Sequence, residues 1–132
     1  MDPTGALADL TEISSQIDHA VVLLEDGSVL ASTAPTEERA QQLATTALEL
    51  LAAAAEVRPQ GDRELTQLEA ALREGSVFVV RDGGRAVVAT TAAGAPSGLV
   101  LYDLRACLRA VDDETNPPPR RRSTRRKTAA DA

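Results

Sequence analysis

One stretch constrains this chain more than any other. Glu37 to Val57 has the composition of a single unbroken helix, and it is apolar on too many sides. At about 100° per residue, Leu43, Ala47, Leu50 and Ala54 cluster in one direction, and Ala44, Leu48, Leu51, Ala52 and Ala55 cluster about a third of a turn away. Together they sweep about 200° of arc, whereas a helix packed on one core needs about 100°. The chain has 132 residues, enough for one domain and a tail. That is too little to bury such a helix on both sides. The second face therefore calls for another copy of the chain, and its alanines would let two helix backbones approach closely.

The composition narrows the chemistry. Phe78 and Tyr102 are the only aromatics, so the core is aliphatic and there is no platform for stacking bases or sugars. Cys107 is the only cysteine, which rules out an internal disulfide and a cysteine metal cluster. Its expected role is that of a small buried apolar residue. Met1-Asp2-Pro3-Thr4-Gly5 is acidic and lacks the apolar stretch of a signal peptide. No apolar run approaches the ~18 residues of a membrane span, so the expected location is cytoplasmic. The net charge of −6 conceals an asymmetry. Residues 1–119 carry 8 basic and 19 acidic side chains, a balance of −11, while residues 120–132 carry 6 basic and 1 acidic, a balance of +5.

Punctuation along the chain separates the elements. Asp2 can cap a first helix, with Pro3 at its first position and Leu7, Leu10, Ile13 and Ile17 near helical spacing. Ala20 to Leu24 and Val29 to Ser32 read as strands joined by Glu25-Asp26-Gly27-Ser28, an Asp-Gly hairpin signal. Thr36 is an N-cap for the long helix, and Glu37 and Glu38 suit its dipole. Arg58-Pro59-Gln60-Gly61 breaks the helix. Glu64 to Glu74 is ambiguous, because its composition and the spacing of Leu65, Leu68 and Leu72 favour helix. It also alternates, with Thr66, Leu68, Ala70 and Leu72 on one strand face. Val77 to Arg81 and Ala86 to Thr91 form a second hairpin around Asp82-Gly83-Gly84. Pro96-Ser97 opens a last helix with Leu101, Leu104, Leu108 and Val111 on one face. The domain is expected to span residues 1–115 and a Pro/Arg-rich disordered tail residues 116–132.

No constellation of reactive groups emerges. His19 is the only histidine and has no cysteine or second histidine with which to share a metal. Ser14, Ser15 and Ser97 have no visible base partner. The adjacent acids Glu25-Asp26 and Asp112-Asp113 are explained by turns and helix ends. Asp82-Gly83-Gly84 lacks the Gly-Lys-Ser/Thr of a phosphate loop, so the chain is not itself a GTPase. No enzyme activity, metal or cofactor is expected.

The order of helix, hairpin, long helix, ambiguous segment, hairpin and helix resembles the Roadblock/LC7 family. The stretches carrying the likeness are Asp18-His19-Ala20-Val21-Val22-Leu23-Leu24-Glu25-Asp26-Gly27, the Ala- and Leu-rich helix, and Ser97-Gly98-Leu99-Val100-Leu101-Tyr102-Asp103-Leu104-Arg105. The resemblance covers about Leu7 to Val111. It implies an α+β domain of profilin-like architecture, a five-stranded antiparallel sheet with helices on both faces. It also implies that Leu65 to Arg73 is an edge strand that pairs with its twin across a dimer while the two long helices pack side by side. Combined with the two-faced helix, this gives an expected dimer contact of Leu43, Ala44, Ala47, Leu48, Leu51, Ala55 and Leu68. The family's bacterial members regulate small Ras-like GTPases, so the resemblance implies a non-catalytic regulator or scaffold of such a GTPase. It argues against Arg39 acting as an arginine finger. The Ala52 to Ala55 run and the arginine tail depart from many relatives.

The tail keeps three readings open. Arg120, Arg121, Arg122, Arg125, Arg126 and Lys127 form a solubility tail, or one folding back on the acidic domain, or they bind an anionic surface such as nucleic acid, membrane or an acidic partner. Ser123 and Thr128 each follow an arginine by three residues and suit basophilic kinases. The alternative to GTPase regulation is a dimeric structural adaptor that displays two such tails.

Overall fold

A computed structural model describes residues 1–58 and 65–115, with side chains described as far as Val111. The expected break at Pro59 to Gly61 and the whole of the expected tail lie outside the described residues.

Local chemistry sets most of the element boundaries. Asp2 caps α1 (Pro3–Ile13), its Oδ1 accepting from the Gly5 N–H at 2.7 Å. In the turn between β1 (Ile17–Leu24) and β2 (Val29–Ser32), Gly27 takes φ 92°, a conformation that disfavours residues with a Cβ. Asp26 Oδ1 accepts from the Ser28 N–H at 2.9 Å, and the bonds from Ser28 hold the Asp26 carboxyl below its ordinary pKa. Thr36 caps α2 (Glu37–Val57), its Oγ1 accepting from the Arg39 N–H at 3.0 Å. β3 (Thr66–Ala71), β4 (Gly75–Asp82), β5 (Arg85–Ala92) and α3 (Ser97–Thr115) complete the order. Gly83 supplies φ 66° in the β4–β5 turn.

The strands form one antiparallel sheet in the order β2-β1-β5-β4-β3. Helices cover both faces. Ala20 and Val22 of β1, Phe78 and Val80 of β4, and Val87 and Ala89 of β5 meet α1 and α3 through Leu7, Leu10, Val100, Leu104 and Leu108. Val21, Leu23, Val79, Ala86 and Val88 meet α2. The interior strand β1, between β2 and β5, is thus buried on both faces, which explains its continuous apolar run rather than a polar-apolar alternation. Cys107 is buried among the α1–α3 residues, and burial, aided by the charge of Asp9, pushes its thiol up to about 11.

In the described part of the ambiguous segment, from Leu65 on, the expected strand prevails over helical composition. Thr66 pairs with Arg81, Leu68 with Val79 and Ala70 with Val77. The Leu72 N–H donates to the Gly75 carbonyl at 2.8 Å and closes the hairpin. β4 offers a full ladder of backbone partners, and non-local pairing of this kind overrides per-residue propensities of a few tenths of a kcal/mol.

Candidate interaction surface

α2 lies principally over β1, β2 and β5. Its inward stripe consists of Ala40, Leu43, Ala44, Ala47 and Leu51, each no more than 5% exposed. Of the residues expected at a dimer contact, Leu43, Ala44, Ala47 and Leu51 pack on the chain's own sheet. The apolar arc is wide because the sheet takes its middle and leaves two flanks. One flank carries the half-buried Leu50 and Ala54, and the other carries half-buried Leu48 with exposed Ala52 and Ala55. Of the seven residues expected at the contact, Leu48, Ala55 and Leu68 keep accessible surface.

Beyond α2, the same sheet face is thinly covered toward β3. Leu68, Ala70 and Val77 are half-buried there. Between the C-terminal half of α2 and the start of β3 runs a cleft of about 410 Å³, lined by Leu51, Ala54, Ala55, Val57, Leu68 and Arg81 among others. β3 is the last strand of the sheet, so its outer backbone edge has no strand neighbour among the described residues. An open edge beside an apolar helix flank is a template for adding another chain.

Two arginines hold the start of this edge strand from opposite faces. On the α2 side, Arg81 Nη2 donates to Thr66 Oγ1 at 3.1 Å. On the other side, Arg105 of α3 donates through Nη1 to Gln67 Oε1, and its guanidinium lies 5.9 Å from the Tyr102 ring centroid. Neither arginine stood out in the sequence, since the pairs are 15 and 38 residues apart and no local pattern announces them.

The remaining candidates stay separate. Arg39 is exposed in the first turn of α2 and donates to Gln42 Oε1 at 2.7 Å. Ser14 is buried at the end of α1, and its Oγ has no hydrogen-bond partner. Among the described residues, no group of three or more His, Cys, Asp or Glu converges on a point where a metal could sit, and no helix is long and apolar enough to cross a membrane. The six basic tail residues and the two tail hydroxyl residues lie outside the described residues.

Three helices on a five-stranded antiparallel sheet, two on one face and one on the other, define an α+β domain of profilin-like architecture. A Loki profilin solved with rabbit actin shares it, with a TM-score of 0.54 at 14% identity over 82% of this chain and 94% of that one. Closer in shape is a Roadblock/LC7 domain from Streptomyces avermitilis, with a TM-score of 0.73 at 20% identity over 87% of this chain and 98% of that one. Myxococcus xanthus MglB aligns with a TM-score of 0.67 at 15% identity, over 88% and 96% of the two chains. A search of curated protein sequences finds no match. The Roadblock/LC7 domain profile matches residues 4–92, and the chain belongs to that family.

Proposed function

We propose that this protein is a non-catalytic homodimer that regulates or scaffolds a small Ras-like GTPase in the cytoplasm. The observation that carries the reading is the open β3 edge lying beside the uncovered α2 flank of Leu48, Ala52 and Ala55. Family membership supports it. In the proposed dimer the two β3 strands pair, Leu68 and Ala70 meet their twins, and the two α2 flanks close over them. The dimer surface then binds one nucleotide state of the GTPase more tightly than the other. A ligand can shift such an equilibrium only by its differential affinity for the two states. Hydrolysis, exchange or location of the GTPase changes accordingly.

The test uses Leu48→Glu with Ala55→Glu, both positions with accessible surface. The substitutions place unpaired charge in the proposed contact, which is strongly unfavourable. Light scattering is expected to show a dimer for the unaltered chain and a folded monomer for the variant. Loss of any effect on a small GTPase encoded beside this chain's gene is expected to accompany it. A monomeric unaltered chain, or a variant that remains dimeric, refutes the proposal.

The tail supports an accessory reading. Six basic residues lie within eight positions, on a chain whose first 119 residues carry −11. In this reading Arg120, Arg121, Arg122, Arg125, Arg126 and Lys127 bind an anionic surface, and phosphorylation of Ser123 and Thr128 cancels about 1.5 to 2 positive charges per site. Deleting residues 120–132 is expected to abolish low-salt binding to duplex DNA or anionic vesicles and to leave dimerisation unchanged.

A further inference from the structure

β3 is the one strand whose own residues argue against it. Leu65, Gln67, Leu68, Glu69, Ala70, Ala71, Leu72 and Arg73 are all good or fair helix formers. Extended, the segment leaves Leu65 and Leu72 46% and 63% exposed. Wound as a helix, it would align Leu65, Leu68 and Leu72 on one apolar face. The strand is laddered on one side alone, by β4. The two residues at its start are the two that arginines hold: Thr66 by Arg81 and Gln67 by Arg105, from opposite faces of the sheet. Conflict between local preference and global fold concentrates at functional or strained sites.

We infer that Leu65–Leu72 is a conformational switch, held as an edge strand by the β4 ladder together with the Arg81–Thr66 and Arg105–Gln67 clamp, and shifting toward an amphipathic helix when the clamp opens. Arg105 is the more accessible half. Its bond to Gln67 is exposed where the Arg81–Thr66 bond is part-buried, and a partner's carboxylate that competed for its guanidinium would release Gln67. The switch would decide whether the sheet offers an edge to another strand. That consequence rests on the proposed dimer, whereas the switch itself does not.

The experiment compares Arg105→Met, and Arg105→Met with Arg81→Met, to the unaltered chain. It reads amide hydrogen exchange and backbone Cα chemical shifts. A hydrogen bond to a charged group is worth about a factor of ten or more in a local equilibrium. Protection of the alternate β3 amides that bond to β4 is therefore expected to fall about tenfold in Arg105→Met and further in the double variant, with β1 and β5 unchanged. Cα shifts of residues 65–72 are expected to move toward helical values. Threonine at the exposed Glu69 and Ala71 should restore both readouts by favouring strand. Unchanged protection in Arg105→Met overturns the clamp. Protection lost with shifts at random-coil values overturns the switch, leaving a fraying edge. If the double variant unfolds throughout, Arg105→Met alone decides. The same measurements on Leu48→Glu with Ala55→Glu separate the two proposals, because a clamp effect that persists in the monomer is independent of dimerisation.

Discussion

Gly75→Ala tests the packing of the sheet at its tightest point. Gly75 starts β4 opposite Ala92 of β5. A Cβ built there would sit 2.2 Å from the Thr91 carbonyl oxygen and 3.4 Å from its carbon. The obstacle is backbone in a paired strand, so no side chain can turn aside. To reach ordinary contact the strands must part by about 1 Å. The Gly75–Ala92 and Ser76–Thr91 pairs at this end would then loosen. Overpacking of this kind costs about 1–3 kcal/mol, and a weakened backbone bond adds about 1 kcal/mol. Against this, alanine restricts the unfolded chain and returns about 0.4–1 kcal/mol. The net expectation is a loss of about 2 kcal/mol, lowering Tm by roughly 6–10 °C for a chain of this size. The internal comparison is Gly98→Ala in the first turn of α3, where an added Cβ meets nothing within 4 Å. That change should gain about 0.5 kcal/mol from helix propensity. Urea denaturation and calorimetry on both variants measure the difference. If Gly75→Ala falls within about 0.5 kcal/mol of the unaltered protein, the steric reasoning is wrong.

Two further outcomes follow from buried groups. The Cys107 thiol, pushed up to about 11 by burial, stays protonated in the fold after the unfolded thiol ionises near 9.0, so its contribution to stability is full below about pH 9 and is lost as pH rises toward 11. Thiol-labelling reagents should therefore react slowly with the native chain at pH 8 and rapidly in denaturant, and Cys107→Ala should flatten the alkaline fall in Tm. Ser14→Ala removes a buried hydroxyl without a partner while keeping the backbone bond from its N–H to Leu10, so denaturation should show a gain of up to about 1 kcal/mol. A loss of that size would contradict the orphaned state of the hydroxyl.

The candidate surface was legible in part. The width of the α2 apolar arc was visible at once, but its division was not. Periodicity reports how many residues are apolar in each direction, not which of them the sheet will touch. Leu43, Ala44, Ala47 and Leu51, expected at a partner, pack within the chain against residues of β1, β4 and β5. Leu48 and Ala55 keep accessible surface only because α2 sits over the β1, β2 and β5 side of the sheet. The arginines at Thr66 and Gln67 were invisible, since each bond joins residues that only the sheet and α3 bring together.

By itself the sequence determined the elements whose causes are local. Asp2 and Thr36 cap their helices through bonds spanning three residues, and Gly27 and Gly83 turn their hairpins with a positive φ. The limits of α2 and of β2 follow from such signals and match the structure. Tertiary structure alone decided the state of Thr66–Ala71. Its residues prefer helix by small increments, and the ladder with β4, closed by the Leu72–Gly75 bond, outweighs them together. A helix satisfies its backbone from within the segment, so its signal is written there. An edge strand satisfies its backbone from another strand, so the deciding energy belongs to residues elsewhere in the chain.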